Sequence, residues 1–282
     1  MNILVSCDEN YLRPLKTMLY SLFCHNDKNF NIYLIHKEIR KSEIEKLDKF
    51  IKKASCDKSK LIDIRVSGIF DSAKTTFYYT EEMYYRLLAY KYLPKNLDRI
   101  LYLDPDILVL NEFDDLYNMD LSDNFFAAAT HSIPTVQPAN VVRLSISSGY
   151  SDIENYFNSG ILMINLKLAR ESEIYESEVL SYIENSKSLG LMMPDQDLLN
   201  VVFRNKIIKI DEIKYNYDAR RYIAYKLKDK KLDLSYIMEN TSFLHFCGKR
   251  KPWLEYNNLS VFASLYMYFW TLAKNLAQSL EK

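Results

Sequence analysis

Glycine is scarce in this chain of 282 residues, which has 5. No low-complexity segment, internal repeat or clear linker interrupts it. Cysteine is scarce as well. Cys7, Cys24, Cys56 and Cys247 form no Cys-x-x-Cys pair, which argues against a zinc knuckle or a thioredoxin-type site. Four cysteines in a chain of this length fit a reducing compartment better than a disulfide scaffold. Neither sign of charge is in excess: 37 Lys and Arg balance 37 Asp and Glu, so nucleic acid is not an expected partner. The opening "MNILVSCDENY" lacks the basic and long apolar stretches of a secretory signal. The uncharged run Leu259–Ala273, 15 residues, falls short of the roughly 20 needed to span a bilayer. It reads as a helix packed on the domain. The alternative is an interfacial helix with Tyr266, Tyr268, Phe269 and Trp270 at a membrane surface. The expected location is the cytoplasm, with peripheral contact at the inner face of the membrane as the alternative.

What is abundant is aromatic: 23 Tyr and 14 Phe. Hydrophobic residues at 48% and charged residues at 26% are ordinary for a globular protein that buries a sizeable core. "NILVSCD" predicts a buried strand, followed by a helix from the spacing of Leu12, Leu15, Leu19 and Leu22. Strand Phe30–His36 and the helix "KSEIEKLDKFIKKA" follow, with Ser42 and Glu45 at capping-box spacing. Strand Leu61–Ser67 and a helix over Thr80–Pro94, capped by Thr80, come next. "RILYLDPDILVL" (Arg99–Leu110) then reads as strand, interruption, strand. This alternation predicts an α/β fold with a mostly parallel sheet. Such sheets bind ligands beyond the carboxyl ends of their strands, and that edge carries both Asp8 and Asp104. Further on, Phe125–Ser132 reads as a strand and Pro134–Ile153 as a long loop of the kind that serves as a lid. Tyr156–Arg170 contains another strand, the segment from Ile174 is helical, and Met192–Phe203 is a turn and helix. A short strand at "IIKID" and a strand-to-loop segment over Thr241–Trp253 complete the pattern.

The acids of Asp-Pro-Asp interrupt an apolar run. In extended chain, residues i and i+2 point the same way, and Pro105 favours extension at Asp104. Asp104 and Asp106 therefore converge. Two close carboxylates repel unless a divalent cation takes both. Oxygen ligands suit Mg²⁺ or Mn²⁺, and an added imidazole favours Mn²⁺. Taken alone, the tripeptide fits a solvated turn equally well.

Five segments in order carry more weight than one. "SCDENYLRPLKTMLYSL", "YLDPDILVL", "NYFNSGILMINL", "MPDQDLLN" and "HFCGKRKPW" together resemble glycosyltransferase family 8, over roughly residues 2–254. The resemblance implies a single Rossmann-like nucleotide-diphospho-sugar transferase domain of GT-A type over residues 1–254. Residues 255–282 then form an aromatic-rich C-terminal helix. It implies a uridine pocket from Ser6, Asp8, Asn10 and Tyr11, with Arg86 facing the donor sugar and the acids. Asp104, Asp106 and His245 would be the metal ligands, and Gly248 and Lys251 would hold the diphosphate. Asn158, Asp195 and Gln196 would bind the sugar near its anomeric carbon. Read singly, each has a plainer role: His245 as a core histidine, Arg86 as a snorkelling surface residue, and the Pro-Asp-Gln-Asp run as a helix cap.

The implied activity is Mn²⁺-dependent transfer of glucose or galactose from a UDP-sugar to a hydroxyl of a glycan, glycolipid or glycoprotein, with retention. Same-face attack is expected over double displacement, because Gln196, the matched residue near the opposite face, is a poor nucleophile; Asp195 is the only nearby carboxylate for a covalent route. Rival readings are another metal-dependent nucleotidyltransferase, and a non-catalytic protein that binds sugar nucleotides or glycans.

Overall fold

The computed structural model describes residues 1–66, 82–130, 136–185, 194–254 and 261–281. Strand β1 (Asn2–Ser6) leads through a 3₁₀ turn, Glu9–Tyr11, into helix α1 (Leu12–His25). Next come β2 (Asn31–His36), α2 (Lys41–Ala54) and β3 (Lys60–Arg65). After the short α3 (Glu82–Tyr85) come β4 (Arg99–Leu103), β5 (Ile107–Val109), α4 (Asp114–Asn118), β6 (Phe126–Ala129) and α5 (Val136–Ser148). Strand β7 (Ile161–Asn165) runs into α6 (Leu166–Glu171) and α7 (Tyr175–Asn185), and α8 (Pro194–Val202) precedes β8 (Ile207–Ile210). The remainder is α9 (Glu212–Tyr215), β9 (Tyr217–Asp218), α10 (Tyr222–Lys228), α11 (Leu234–Asn240), β10 (Phe243–His245) and α12 (Ala263–Ser279).

Among the described residues, seven strands form one sheet in the order β3-β2-β1-β4-β7-β6-β8. Four of its pairings are parallel; β7 runs antiparallel to both β4 and β6. The carboxyl ends of β1 and β4 and the start of β7 therefore share one edge, and Asp104 N donates to Gly160 O there at 2.8 Å. The two halves of "RILYLDPDILVL" belong to different sheets. Strand β5 leaves the large sheet and joins a second one, β5-β10-β9, where His245 pairs with Ile107 and with Asp218.

Alternation along the strands explains the two main cores. Ile3, Val5, Leu101 and Leu103 face α1 and α2, whereas Leu4, Ile100 and Tyr102 face α6, α7 and α8. A third cluster lies between the small sheet and α12, built on Leu108, Tyr217, Leu244, Phe246, Tyr266 and Trp270. Helix α12 packs along α1 and buries Tyr266, Phe269, Trp270 and Ala273, while Tyr268 stays exposed. No helix among the described residues is long and apolar enough to cross a membrane.

Several local expectations are corrected. Most of the expected loop Pro134–Ile153 is α5. Pro138 sits in its first turn, where the missing N–H costs nothing. Helix α2 is capped at Arg40 with no side-chain bond, so Ser42 lies inside the helix rather than at its cap. The expected helix over Thr80–Pro94 is instead α3 followed by a turn and a 3₁₀ segment, Ala89–Lys91; its proposed cap, Thr80, lies outside the described residues. The chain after β7 turns helical at once, with Asn165 capping α6 through Leu168 N. The described C-terminal helix runs from Ala263 to Ser279; residues 255–260 of the expected segment, Leu259 among them, lie outside the described residues.

One buried ion pair ties α5 to α8. Arg143 donates to both oxygens of Asp197, at 3.0 and 2.6 Å, and the Tyr156 hydroxyl donates to Asp197 Oδ1 at 2.6 Å. Asp197 is fully buried. Removing the guanidinium strands a buried carboxylate, a loss in the range of 3–5 kcal/mol. Arg143→Ala should lower the unfolding free energy by about 3 kcal/mol, the low end because the Tyr156 hydroxyl remains. Urea denaturation followed by circular dichroism checks it.

Candidate metal centre and its surroundings

Asp104, Asp106 and His245 meet at the shared edge, each offering one ligand atom within 4.8 Å of the others. The short Asp-Pro-Asp link between β4 and β5 places the acids, and strand pairing brings His245 to them: Phe246 N donates to Asp106 O at 3.0 Å. His245 Nε2 lies 3.2 Å from Asp106 Oδ1 and 3.8 Å from Asp104 Oδ2.

Which histidine nitrogen carries the proton follows from a chain of amides. The backbone N–H of Gly160 donates to Asn158 Oδ1 at 3.0 Å, which fixes that atom as the oxygen. Asn216 Nδ2 donates to the same oxygen at 2.9 Å, so Asn216 Oδ1 must face His245 Nδ1, at 2.8 Å. An amide oxygen only accepts, so Nδ1 holds the proton and Nε2 turns toward the acids. Asp106 Oδ1, buried and with no hydrogen-bond partner, faces that nitrogen. A lone pair on Nε2 opposite carboxylate oxygen needs a positive centre between them. Either a proton or a metal ion supplies it, and a hard oxygen pair plus one oriented imidazole is a donor set suited to a divalent metal.

Cations surround the acids. Arg86 Nη1 lies 3.1 Å from Asp104 Oδ1 and 3.7 Å from Asp195 Oδ2, and donates to Ser159 O at 2.8 Å. Its guanidinium sits 4.3 Å above the Tyr102 ring. The Lys251 ammonium pairs with Asp106 Oδ2 and donates to Phe246 O at 2.8 Å. The two acids shift in opposite directions. Burial raises the Asp104 pKa more than Arg86 lowers it, and the Asp106 charge adds to the rise. Burial also acts on Asp106, but Lys251 and then His245 hold it well below the usual carboxylate range. Burial opposes charge on His245, yet Cys247 and Asp106 raise its pKa well above the ordinary imidazole value.

The other predicted site residues fall into two groups. Asp195 and Gln196, in the first turn of α8, reach the centre through Ser159 and Asn158. Ser159 Oγ donates to Asp195 Oδ2 at 2.8 Å, and Asn158 Nδ2 donates to Gln196 Oε1 at 2.9 Å. Ser6 stands behind the acids: its Oγ is 3.3 Å from the Tyr102 hydroxyl, which donates to Asp104 Oδ1 at 2.6 Å. Asp8 caps the 3₁₀ turn by accepting from Tyr11 N at 3.1 Å and also meets Asn10 at 3.3 Å. Tyr11 stands at the rim, edge-on to Trp253 with ring centres 6.1 Å apart. Gly248 has a φ of +81° and lies against Arg220 rather than among the acids.

Sequence reasoning missed Asn216, Asn200 and the reason for Gly160. Asn200 is fully buried on α8 and exchanges hydrogen bonds with the backbone of Phe157, at 2.6 and 2.8 Å, which fixes the segment carrying Asn158. A side chain at Gly160 would overlap His245 Cε1 and come within 2.6 Å of Asp104 Oδ2. The scarcity of glycine was a usable signal, since few positions in this chain keep one.

A sequence model described as glycosyl transferase family 8 matches residues 2–257. General stress protein A of Bacillus subtilis is 26% identical over 261 residues, covering 90% of this chain and 87% of its own. A lipopolysaccharide 1,2-glucosyltransferase of Escherichia coli is 28% identical over 259 residues, covering 91% and 74%. Among solved structures, the galactosyltransferase LgtC in complex with donor and acceptor sugar analogues superposes with a TM-score of 0.77 at 22% identity, over 96% of this chain and 95% of that one. The fold is thus the GT-A type with a mostly parallel sheet.

Two substitutions test the centre. Were a divalent cation held by these three side chains, Gly160→Ala should abolish its tight binding, because the new methyl group would meet both His245 and Asp104. Asn216→Ala should weaken such a cation about 10- to 100-fold by freeing the His245 ring, the usual effect of losing an outer-shell partner. Isothermal titration of the purified protein with MnCl₂ reads both.

Proposed function

The chain belongs to glycosyltransferase family 8 and is a retaining hexosyltransferase, and we propose that its donor is UDP-glucose or UDP-galactose, its cation Mn²⁺ and its acceptor a glycan, glycolipid or glycoprotein hydroxyl. The observation that carries this reading is the convergence of Asp104, Asp106 and His245 beside Lys251 and Arg86 at the ligand-binding edge of a GT-A sheet. Asp104, Asp106 and His245 would hold the cation, whose chemistry when bound is to neutralise charge on the departing diphosphate. The name of the Escherichia coli relative supports a glucosyl donor and a lipid-borne acceptor.

The residues of the chain divide the remaining work. Tyr11, Asp8, Asn10 and Ser6 at the end of β1 bind the nucleoside. Gly248 and Lys251 hold the diphosphate, with the ammonium placed to favour the leaving group. Asn158, Asp195 and Gln196 orient the hexose, and Arg86 keeps Asp104 and Asp195 in fixed relation. Positioning of donor and acceptor supplies much of the acceleration.

Retention favours same-face attack here. Gln196 Oε1 already accepts from Asn158 Nδ2 and, at 3.4 Å, from Ser159 N. Asp195 Oδ2 is engaged by Ser159 and Arg86. Neither is free to act as a nucleophile without breaking the network that places it.

The wild-type protein should release UDP from UDP-glucose or UDP-galactose when Mn²⁺ is present, and Asp104→Asn or Asp106→Asn should reduce that release at least a thousandfold. A coupled assay for UDP, run with Mn²⁺ and with EDTA, measures it. Full release in EDTA would rule out the metal-dependent reading. A thermal-shift series over UDP-sugars with and without Mn²⁺ should show stabilisation by one hexose donor above the others.

A further inference from the structure

We propose that Arg220 is a binding residue for the donor diphosphate, aimed by Asp218 and given room by Gly248. The inference rests on the nucleotide-sugar reading above and adds a group to it. Asp218 ends β9, is 2% exposed, and pairs across the small sheet with His245. Its Oδ1 accepts from Arg220 N at 3.0 Å and from Arg220 Nε at 2.9 Å, and its Oδ2 accepts from Arg220 Nη2 at 2.7 Å. Two guanidinium nitrogens are thus spent on one buried carboxylate. That fork fixes the plane of the group.

The third nitrogen, Nη1, occupies the space where a side chain at position 248 would begin. The backbone there is left-handed, with φ at +81°. Gly248 therefore does more than let a ligand approach its own backbone: it admits the guanidinium to the Gly248–Lys251 loop. Arg220 is close enough to the centre for the charges of Cys247 and Asp106 to act on it.

An arginine that served only to neutralise Asp218 would leave no positive charge behind. Here Asp218 meets two: Arg221 Nε lies 3.9 Å from the same Oδ2. Two guanidinium groups thus stand against this one carboxylate, beside the loop that carries Lys251. The Arg220 side chain is 42% exposed, so its outer edge is open to a ligand. A planar donor with a fixed edge beside a lysine suits a phosphate-type oxyanion, and the diphosphate is the anion the site is read to hold.

Titration of the full chain with UDP at saturating MnCl₂ tests this, comparing wild type, Arg220→Gln and Arg220→Lys. Loss of a charged hydrogen bond to phosphate should weaken UDP about 10- to 100-fold in Arg220→Gln. Arg220→Lys, which keeps the charge without the fork, should fall between it and the wild type. Mn²⁺ affinity measured without nucleotide should stay within twofold in both, since Arg220 touches none of the three ligands. UDP affinity unchanged in both variants overturns the inference. So does an equal loss of Mn²⁺ and UDP affinity, which marks a purely structural role. If Arg220→Gln does not fold, Arg220→Lys decides alone by the same criteria. A wild type that binds no UDP overturns the nucleotide-sugar reading and this inference together, whereas intact wild-type binding with unaltered variants overturns only the inference.

Discussion

Two carboxylates pressed together, Asp106 buried and Asp104 half-buried, set the terms for their neighbours. Asp104 and Asp106 cannot both be charged there without compensation. The protein supplies it unevenly. Lys251 and His245 hold Asp106 ionised, while Asp104, desolvated and repelled by its partner, has Arg86 against it. A cation that enters need not create its ligands from neutral acids, because one is already fully charged. It must instead compete with an ammonium group for Asp106.

The fold delivers these groups through its two sheets. Asp104 closes a strand of the large sheet and Asp106 opens a strand of the small one, so the proline between them bridges two separately built layers. His245 arrives on the small sheet, and the amides of Asn216, Asn158 and Gln196 carry its orientation back across to α8. The candidate metal ligand and the residues read as sugar-binding are thus set by one continuous hydrogen-bond path. A shift of either sheet would be felt at both.

Much of this was legible in the chain. Strand and helix periodicity gave the parallel core, and the Asp-Pro-Asp interruption marked its functional edge. Five ordered segments then brought in His245, Gly248 and Lys251 by resemblance. What stayed hidden shares one physical cause: its meaning depends on contacts distant in sequence. Asn216 precedes the two-residue strand β9 and Asp218 ends it, a stretch too short to show a period, and only the pairing of β9 with β10 brings them to the centre. The segment Pro134–Ile153, which holds α5, looked like a loop because two prolines and many Ser and Val residues lower local helix propensity. Packing and the Arg143–Asp197 pair outweigh that propensity. The Ser42–Glu45 spacing misled for the opposite reason, since a local motif was present but the chain entered the helix two residues earlier.

The aromatic contacts of α12 have a consequence for how the protein comes into being. Trp253 stacks on Tyr266 and on Trp270, with ring centres 5.1 and 6.0 Å apart, and stands edge-on to Tyr11. Arg13, just past Tyr11, lies 4.0 Å over the Trp270 ring. The turn after the first strand is therefore braced by side chains from the far end of the fold. On the ribosome, Tyr11 and Arg13 emerge early and wait for Trp270. A nascent chain can pair its first strands well before it can complete this rim, because the bracing rings of Trp253, Tyr266 and Trp270 follow so much later in the chain.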